Sequence, residues 1–240
     1  MLIAKNLFKA YKRKQIVKGV TISVKSAEIV GLLGPNGAGK STSFHMMSGL
    51  IKPDIGKVFF DGSDVTNLSL SYRARLGIIY LPQETSIFRD MTVEENLMTA
   101  LEIIEKNKMK RKAQLDDLLN RFSMTHLKSS YAILLSGGER RKLEVARCLA
   151  MNPKYILFDE PLSGVDPIAV KSILRTIQSL KQEGIGILIT DHNVKEALSL
   201  IDKAYIIYDG SIIAYGQSKD IIKNQQVLKI YLGKNFRLDT

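Results

Sequence analysis

The segment that most constrains this chain is Gly34-Pro35-Asn36-Gly37-Ala38-Gly39-Lys40-Ser41. Before it stands Ile29-Val30-Gly31-Leu32-Leu33, a short apolar run that reads as a buried strand. After it a helical pattern runs from Lys40 to about Leu50 and stops near Pro53. A glycine-rich loop between a buried strand and a helix turns its backbone N–H groups inward, where they cradle phosphates. Lys40 sets a positive charge beside the β- and γ-phosphates, and the Ser41 hydroxyl is a ligand for Mg²⁺. The helix N-terminus adds its own partial positive charge. A chance glycine turn followed by a lysine lacks this context, so the spacing Gly-x-x-x-x-Gly-Lys-Ser predicts a nucleotide triphosphate site.

The remaining pattern alternates strands with helices. The first thirty residues alternate in strand fashion, as in Ile22-Ser23-Val24-Lys25, and Asp61-Gly62 after Val58-Phe59-Phe60 signals a turn. From about Glu84 to Met151 the chain is polar and helical, with Thr92-Val93-Glu94-Glu95 as a capping box. After Asn152-Pro153, strands return at Tyr155-Ile156-Leu157-Phe158 and Gly186-Ile187-Leu188-Ile189-Thr190. Between them, Asp166-Pro167 reads as an N-cap with proline at the first helical position, opening a helix that ends near Gly184. Ala204 to Tyr215, centred on Asp209-Gly210, reads as a hairpin. The expected fold is α/β, with a mostly parallel sheet covered on both faces. The expected division is a nucleotide-binding core over residues 1–83 and 152–240, with an inserted helical subdomain over 84–151.

Composition excludes several classes. The single cysteine, Cys148, leaves no partner for an intrachain disulfide, and no Cys/His set has zinc spacing. Cys148 lies among Ala146, Leu149 and Ala150 and reads as a small buried apolar residue in a reducing compartment. Met1-Leu2-Ile3-Ala4-Lys5 lacks the apolar stretch of a signal peptide. No run approaches the about 18 apolar residues of a membrane span, so any membrane must be crossed by another chain. The net charge of +11 attracts polyanions, but only Lys106, Lys108, Lys110, Arg111 and Lys112 are densely clustered. No aromatic residues interleave with them, which disfavours a direct nucleic-acid role.

A phosphate loop needs a second anchor for its metal. Tyr155-Ile156-Leu157-Phe158-Asp159-Glu160 has the form of an apolar strand ending in acids. Asp159 is positioned to hold Mg²⁺, and Glu160 to act as general base on an attacking water. Leu135-Ser136-Gly137-Gly138-Glu139 then decides the class: it resembles the signature motif of ATP-binding-cassette ATPases, while Ser136 and Glu139 also form a capping box. The rest of that family's pattern follows in order over nearly the whole chain.

That resemblance implies a P-loop NTPase core with an antiparallel β subdomain and an inserted helical subdomain carrying the signature. It implies that Tyr11 stacks on adenine, that Asn36, Gly37, Ala38, Gly39, Lys40, Ser41 and Thr42 hold ATP, and that Gln83 touches metal and attacking water. Ser41, Gln83 and Asp159 become the Mg²⁺ ligands, Glu160, His192 and Gln83 the catalytic set, and Ser163-Gly164-Val165-Asp166 the link between two sites. In the family the signature of one chain faces the phosphate loop of another. One copy of each therefore implies a two-fold dimer with ATP between the subunits, completed in trans by Ser136, Gly137 and Gly138.

Finer stretches are similar to the ATPase subunits of lipopolysaccharide-export transporters. They are residues 81–89, Ser136-Gly137-Gly138-Glu139-Arg140-Arg141, Ile189-Thr190-Asp191-His192-Asn193-Val194 and the tail 231–238. This implies ATP hydrolysis at the cytoplasmic face of the inner membrane, coupled to two integral membrane subunits through a groove lined by Phe88 and Arg89. Cassettes of branched-chain amino-acid importers share much of the pattern and stay open as an alternative, as does a cassette acting on nucleic acid. Leu162 departs from the family's usual aromatic, and residues 104–114 match it poorly, so no role transfers there.

Overall fold

The computed structural model describes residues 1–163, 167–192 and 194–233. The N-terminal alternation folds as a hairpin of β1 (Leu2–Tyr11) and β2 (Lys14–Val24). Leu2, Ala4, Leu7, Val17, Val20, Ile22 and Val24 are all buried on one face. β3 (Ile29–Leu33) has no exposed residue, and α1 (Lys40–Ser48) follows it. The helix stops at Gly49, in the left-handed region at φ 89°, whose N–H bonds back to the His45 carbonyl. It therefore ends short of Leu50 and does not need Pro53 as its breaker.

β4 (Ile55–Phe60) and β5 (Ser63–Asp64) are joined by Asp61-Gly62 with φ of 47° and 86°. The antiparallel sheet runs β2-β1-β4-β5. Next come α2 (Leu70–Leu76), β6 (Ile78–Leu81), and three longer helices, α3 (Val93–Ile104), α4 (Lys108–Arg121) and α5 (Gly137–Ala150). The chain closes through β7 (Tyr155–Asp159), α6 (Pro167–Gln182), β8 (Gly186–Asp191), α7 (Val194–Leu200), β9 (Lys203–Tyr208) and β10 (Ser211–Gln217), then the short α8 (Ser218–Ile221) and α9 (Gln225–Val227). The second sheet runs β10-β9-β3-β8-β7-β6, parallel except where β10 pairs with β9.

The pleat of the parallel sheet divides the interior in two. Val30, Leu32, Leu157 and Leu188 face the antiparallel sheet and Phe44, Met46 and Met47 of α1. Ile29, Leu33, Ile156, Phe158, Ile187 and Ile189 face the layer that includes α3, α4 and α5. A strand buried on both faces needs apolar residues throughout, which is why β3, β7 and β8 read as continuous runs.

Arg73 is fully buried and reaches four carbonyls: Met46 (2.9 Å), Met47 (2.7 Å), Thr66 (3.0 Å) and Leu68 (3.1 Å). It thereby satisfies the carbonyl end of α1 and fixes α2 against it. Burial holds its pKa down at about 10.

Register sets up the site. Leu33 pairs with Asp191 and Asp159 with Thr190, so β3, β7 and β8 end side by side. The loops after them emerge at the carboxyl edge of a parallel sheet, where open α/β folds bind ligands. Asp166, read as an N-cap, falls outside the described residues, as do Gly164, Val165, Asn193 and tail residues 234–238.

Candidate functional site

The phosphate loop leaves β3 so tightly that a side chain on Gly34 would meet the Ile207 carbonyl at 2.2 Å. Gly39 sits at φ 101°, where a Cβ would lie 2.8 Å from the Ile16 carbonyl. These contacts exclude other residues. Lys40 is buried, and its Nζ donates to the carbonyls of Gly34 (2.8 Å) and Pro35 (3.0 Å), arching the loop over its own ammonium. Burial lowers the Lys40 pKa, opposed by the charges of Glu160, Asp159 and Asp191 nearby. No side chain caps the α1 N-terminus and no acid occupies its first turn, so its electropositive end is free for an anion. Asn36, Gly37 and Ser41 are exposed there, Thr42 is half-buried and Ala38 packs inward. Tyr11, at the end of β1, is an exposed ring with the Lys9 ammonium 5.8 Å from its centre.

Asp159 ends β7 inside a polar cluster. Its Oδ1 accepts from Thr190 Oγ1 at 2.6 Å, and its Oδ2 accepts from the Tyr80 hydroxyl at 3.1 Å. His45 Nε2 lies 3.5 Å from the same Oδ2 and 3.2 Å from the Tyr80 hydroxyl. Burial pushes the Asp159 pKa up, but hydrogen bonds from His45, Thr190 and Tyr80 together hold it below the usual carboxylate value.

Glu160 is the first residue past the strand, and its backbone is left-handed at φ 45°. That conformation costs a residue with a Cβ about 1–2 kcal/mol. It is held by the Glu160 N–H, which donates to Thr190 at both the carbonyl (2.9 Å) and Oγ1 (3.1 Å). The carboxylate is aimed at His192, whose Nδ1 lies 3.1 Å from Glu160 Oε2. Gln83 is exposed and its Nε2 donates to Ser163 Oγ at 3.3 Å.

The oxygens of Ser41, Gln83 and Asp159 are all hard donors. Such a set suits Mg²⁺, which keeps much of its own water and takes few protein ligands. Among the described residues, no cluster of three or more His, Cys, Asp or Glu forms a competing metal site.

Ser136 caps α5 in a reciprocal box: its Oγ accepts from the Glu139 N–H (3.3 Å), and Glu139 Oε2 accepts from the Ser136 N–H (2.8 Å). Added Cβ atoms on Gly137 and Gly138 would meet nothing within 4 Å, so this helix end is open. A cleft of about 650 Å³ brings Gln83, Ser136, Gly137, Gly138, Glu160 and Ser163 to one wall system. The Gly34–Ser41 loop does not line it.

A second surface surrounds Phe88, which is 49% exposed. The Arg147 guanidinium stacks 4.6 Å from its ring and donates to the Ser86 carbonyl at 2.5 Å. The fully buried Asn96 pins the Phe88 backbone from both sides, accepting from its N–H and donating to its carbonyl, each at 2.9 Å. Arg89 lines a smaller cleft with Thr85, Ile133 and Arg140. Tyr131, Ile133 and Leu134 expose large apolar surfaces. His45, Tyr80, Asn96, Arg147, Ile133 and Leu134 escape the sequence reading. They carry no motif spacing, and Ile133-Leu134 looks like core.

Sheet, loops and capped helices together define an ATP-hydrolysing cassette. A family model described as ABC transporter matches residues 17–163, and the chain belongs to that family. It is 50% identical over 238 residues to the lipopolysaccharide export system ATP-binding protein LptB of Escherichia coli K12, covering 99% of each chain. The LptB of Haemophilus influenzae is 49% identical over 239 residues, again covering 99% of each. An uncharacterized ABC transporter ATP-binding protein of Rhizobium meliloti is 52% identical, covering 99% of this chain and 88% of that one. Among solved structures, a nucleotide-free ATP-binding cassette from an ABC transporter superposes with TM-score 0.86 at 31% identity, covering 98% of this chain and 99% of that one. The ADP conformation of such a cassette gives the same TM-score, identity and coverage. Among the described residues, no helix is long and apolar enough to cross a membrane.

Proposed function

We propose that this chain is the ATP-hydrolysing subunit of a lipopolysaccharide-export transporter, acting at the cytoplasmic face of the inner membrane through separate membrane subunits. The observation that carries this reading is about half identity over 99% of both chains to LptB. Partial matches restricted to the nucleotide loop would not support it.

In the proposed cycle, Tyr11 stacks on adenine while the amides from Asn36 to Thr42 and the Lys40 ammonium receive the phosphates. Ser41, Gln83 and Asp159 would hold Mg²⁺, which neutralises charge on the β- and γ-phosphates when bound. Glu160 takes the proton of the attacking water as it approaches the γ-phosphate in line, the bond from the γ-phosphorus to the β–γ bridging oxygen breaks so that ADP leaves, and His192 orients the Glu160 carboxylate. The open α5 N-terminus at Ser136, Gly137 and Gly138 presents its N–H groups to an ATP held by a second copy. A cleft lined by these residues and Glu160, but not by the chain's own phosphate loop, supports a two-fold dimer with ATP between subunits. Residues 84–151 would move as a unit with a partner helix seated beside Phe88 and Arg89.

The test is affinity purification of the tagged chain from detergent-solubilised membranes, with identification of the integral proteins that accompany it. Two membrane subunits that bind lipopolysaccharide are expected. Recovery of an amino-acid permease, or of ribosomes, would overturn the assignment.

A further inference from the structure

The lysine cluster of the sequence lies at the tip of the hairpin formed by α3 and α4, and the nucleotide cycle gives it no task. Ile103 and Ile104 end α3, and Met109 opens α4; Met109 is 84% and Ile103 56% exposed. Lys106, Lys108, Lys110 and Lys112 flank them along the chain, all exposed. Among the described residues, none of the four has a carboxylate partner, whereas Lys128 nearby pairs with Glu94 and Asp116.

This tip is built. Asn107 caps α4 by accepting from the N–H groups of Met109 (2.9 Å) and Lys110 (3.2 Å). Arg111 turns inward, donating to the carbonyls of Glu105 (3.1 Å) and Lys106 (3.3 Å), with Glu102 at 3.6 Å. The fifth cation of the cluster therefore holds the turn, and the other four face solvent with the apolar trio.

Exposed apolar residues interleaved with unpaired lysines match an anionic lipid surface, with methyl groups at the acyl boundary and ammonium groups among phosphates. Nucleic acid would leave the trio nothing to bury against, and the tip offers no aromatic ring to a base. We propose that the α3–α4 tip docks on anionic phospholipid and helps hold the cassette against the membrane. α3 spans 12 residues, about 18 Å, from the Phe88 surface to this tip, so one helix would link the partner groove to the lipid contact. The inference rests on the reading that the cassette works at a membrane, but its test uses the chain without membrane subunits. Its failure and the failure of that reading are therefore separable.

The probe is flotation of the full chain with vesicles of phosphatidylcholine alone, or with roughly one-third phosphatidylglycerol, at near-physiological salt. Binding to the anionic vesicles is expected. Changing Lys106, Lys108, Lys110 and Lys112 together to Gln should weaken it at least about tenfold. A charge-matched control, Lys52, Lys219, Lys223 and Lys229 to Gln, should weaken it far less. Ile103→Ser with Met109→Ser, which leaves the charge unchanged, should cost roughly fivefold or more. The chain has no tryptophan, so Met109→Trp supplies a single indole that can be excited apart from the tyrosines, and its emission should shift to the blue with anionic vesicles only. Equal loss in the control would reduce the effect to net charge and overturn the proposal, as would an unmoved emission. Absence of flotation with the anionic vesicles would also overturn it.

Discussion

Thr190→Val isolates a hydroxyl that joins the Asp159 carboxylate to the Glu160 backbone. Thr190 is fully buried; its Oγ1 donates to Asp159 Oδ1 at 2.6 Å and accepts from the Glu160 N–H at 3.1 Å. Valine keeps the shape, so no cavity opens, and the change removes hydrogen bonding alone. Asp159 retains Tyr80 at 3.1 Å, and Glu160 retains the Thr190 carbonyl at 2.9 Å. The charge-assisted bond to Asp159 is therefore the main loss, about 2 kcal/mol of folding stability at neutral pH. Burial raises the Asp159 pKa while the bonds from His45, Thr190 and Tyr80 bring the net value below the ordinary one. A carboxylate depressed in the folded state stabilises above its unfolded pKa of about 4, and that contribution is lost as pH falls through the folded value. The difference between the two proteins in urea melts should then be full at neutral pH and shrink below about pH 4. Turnover should fall roughly tenfold to a hundredfold with ATP affinity little changed, since only the placement of Asp159 and Glu160 is loosened. Thr190→Ser should restore both. A valine variant within about 0.5 kcal/mol of wild type, turning over ATP at the wild-type rate, would refute the argument.

Lys40→Ala removes both the loop's internal donor and the charge proposed to meet the phosphates. ATP turnover should fall by more than about a hundredfold in a phosphate-release assay. Arg73→Leu leaves four carbonyls without their donor. It should cost about 3 kcal/mol and lower Tm by roughly 6–12 °C in calorimetry, with no change in ATP affinity per folded molecule. Phe88→Ala acts on an exposed ring, so stability should move by no more than about 1 kcal/mol while co-purification of membrane subunits is lost.

The elements that build the nucleotide edge were legible because they obey local rules. β3, β7 and β8 are buried on both faces and appear as unbroken apolar runs, and the Thr92 and Ser136 caps follow from spacing alone. β6 was not legible: it is four residues long, and its Tyr80 sends a hydroxyl to Asp159, a contact that exists only once β6 lies beside β7. Arg73 is buried without any sequence signal, since nothing local reveals that α1 ends above it. Ile133 and Leu134 are exposed, although an apolar pair in sequence looks like core. The proposed phosphate chemistry thus lies in motifs, whereas the side chains packed behind it depend on strand order.

The most direct test of the account is the mass of Glu160→Gln in solution with ATP and Mg²⁺, measured by light scattering beside a turnover assay. The amide keeps the shape of Glu160 but cannot take a proton from water. Nearly abolished hydrolysis is expected, with a shift from the 26.8 kDa chain to a species of about twice that mass, reversed by ADP. Wild-type turnover in this variant, or tight ATP binding by a chain that stays monomeric, would contradict it.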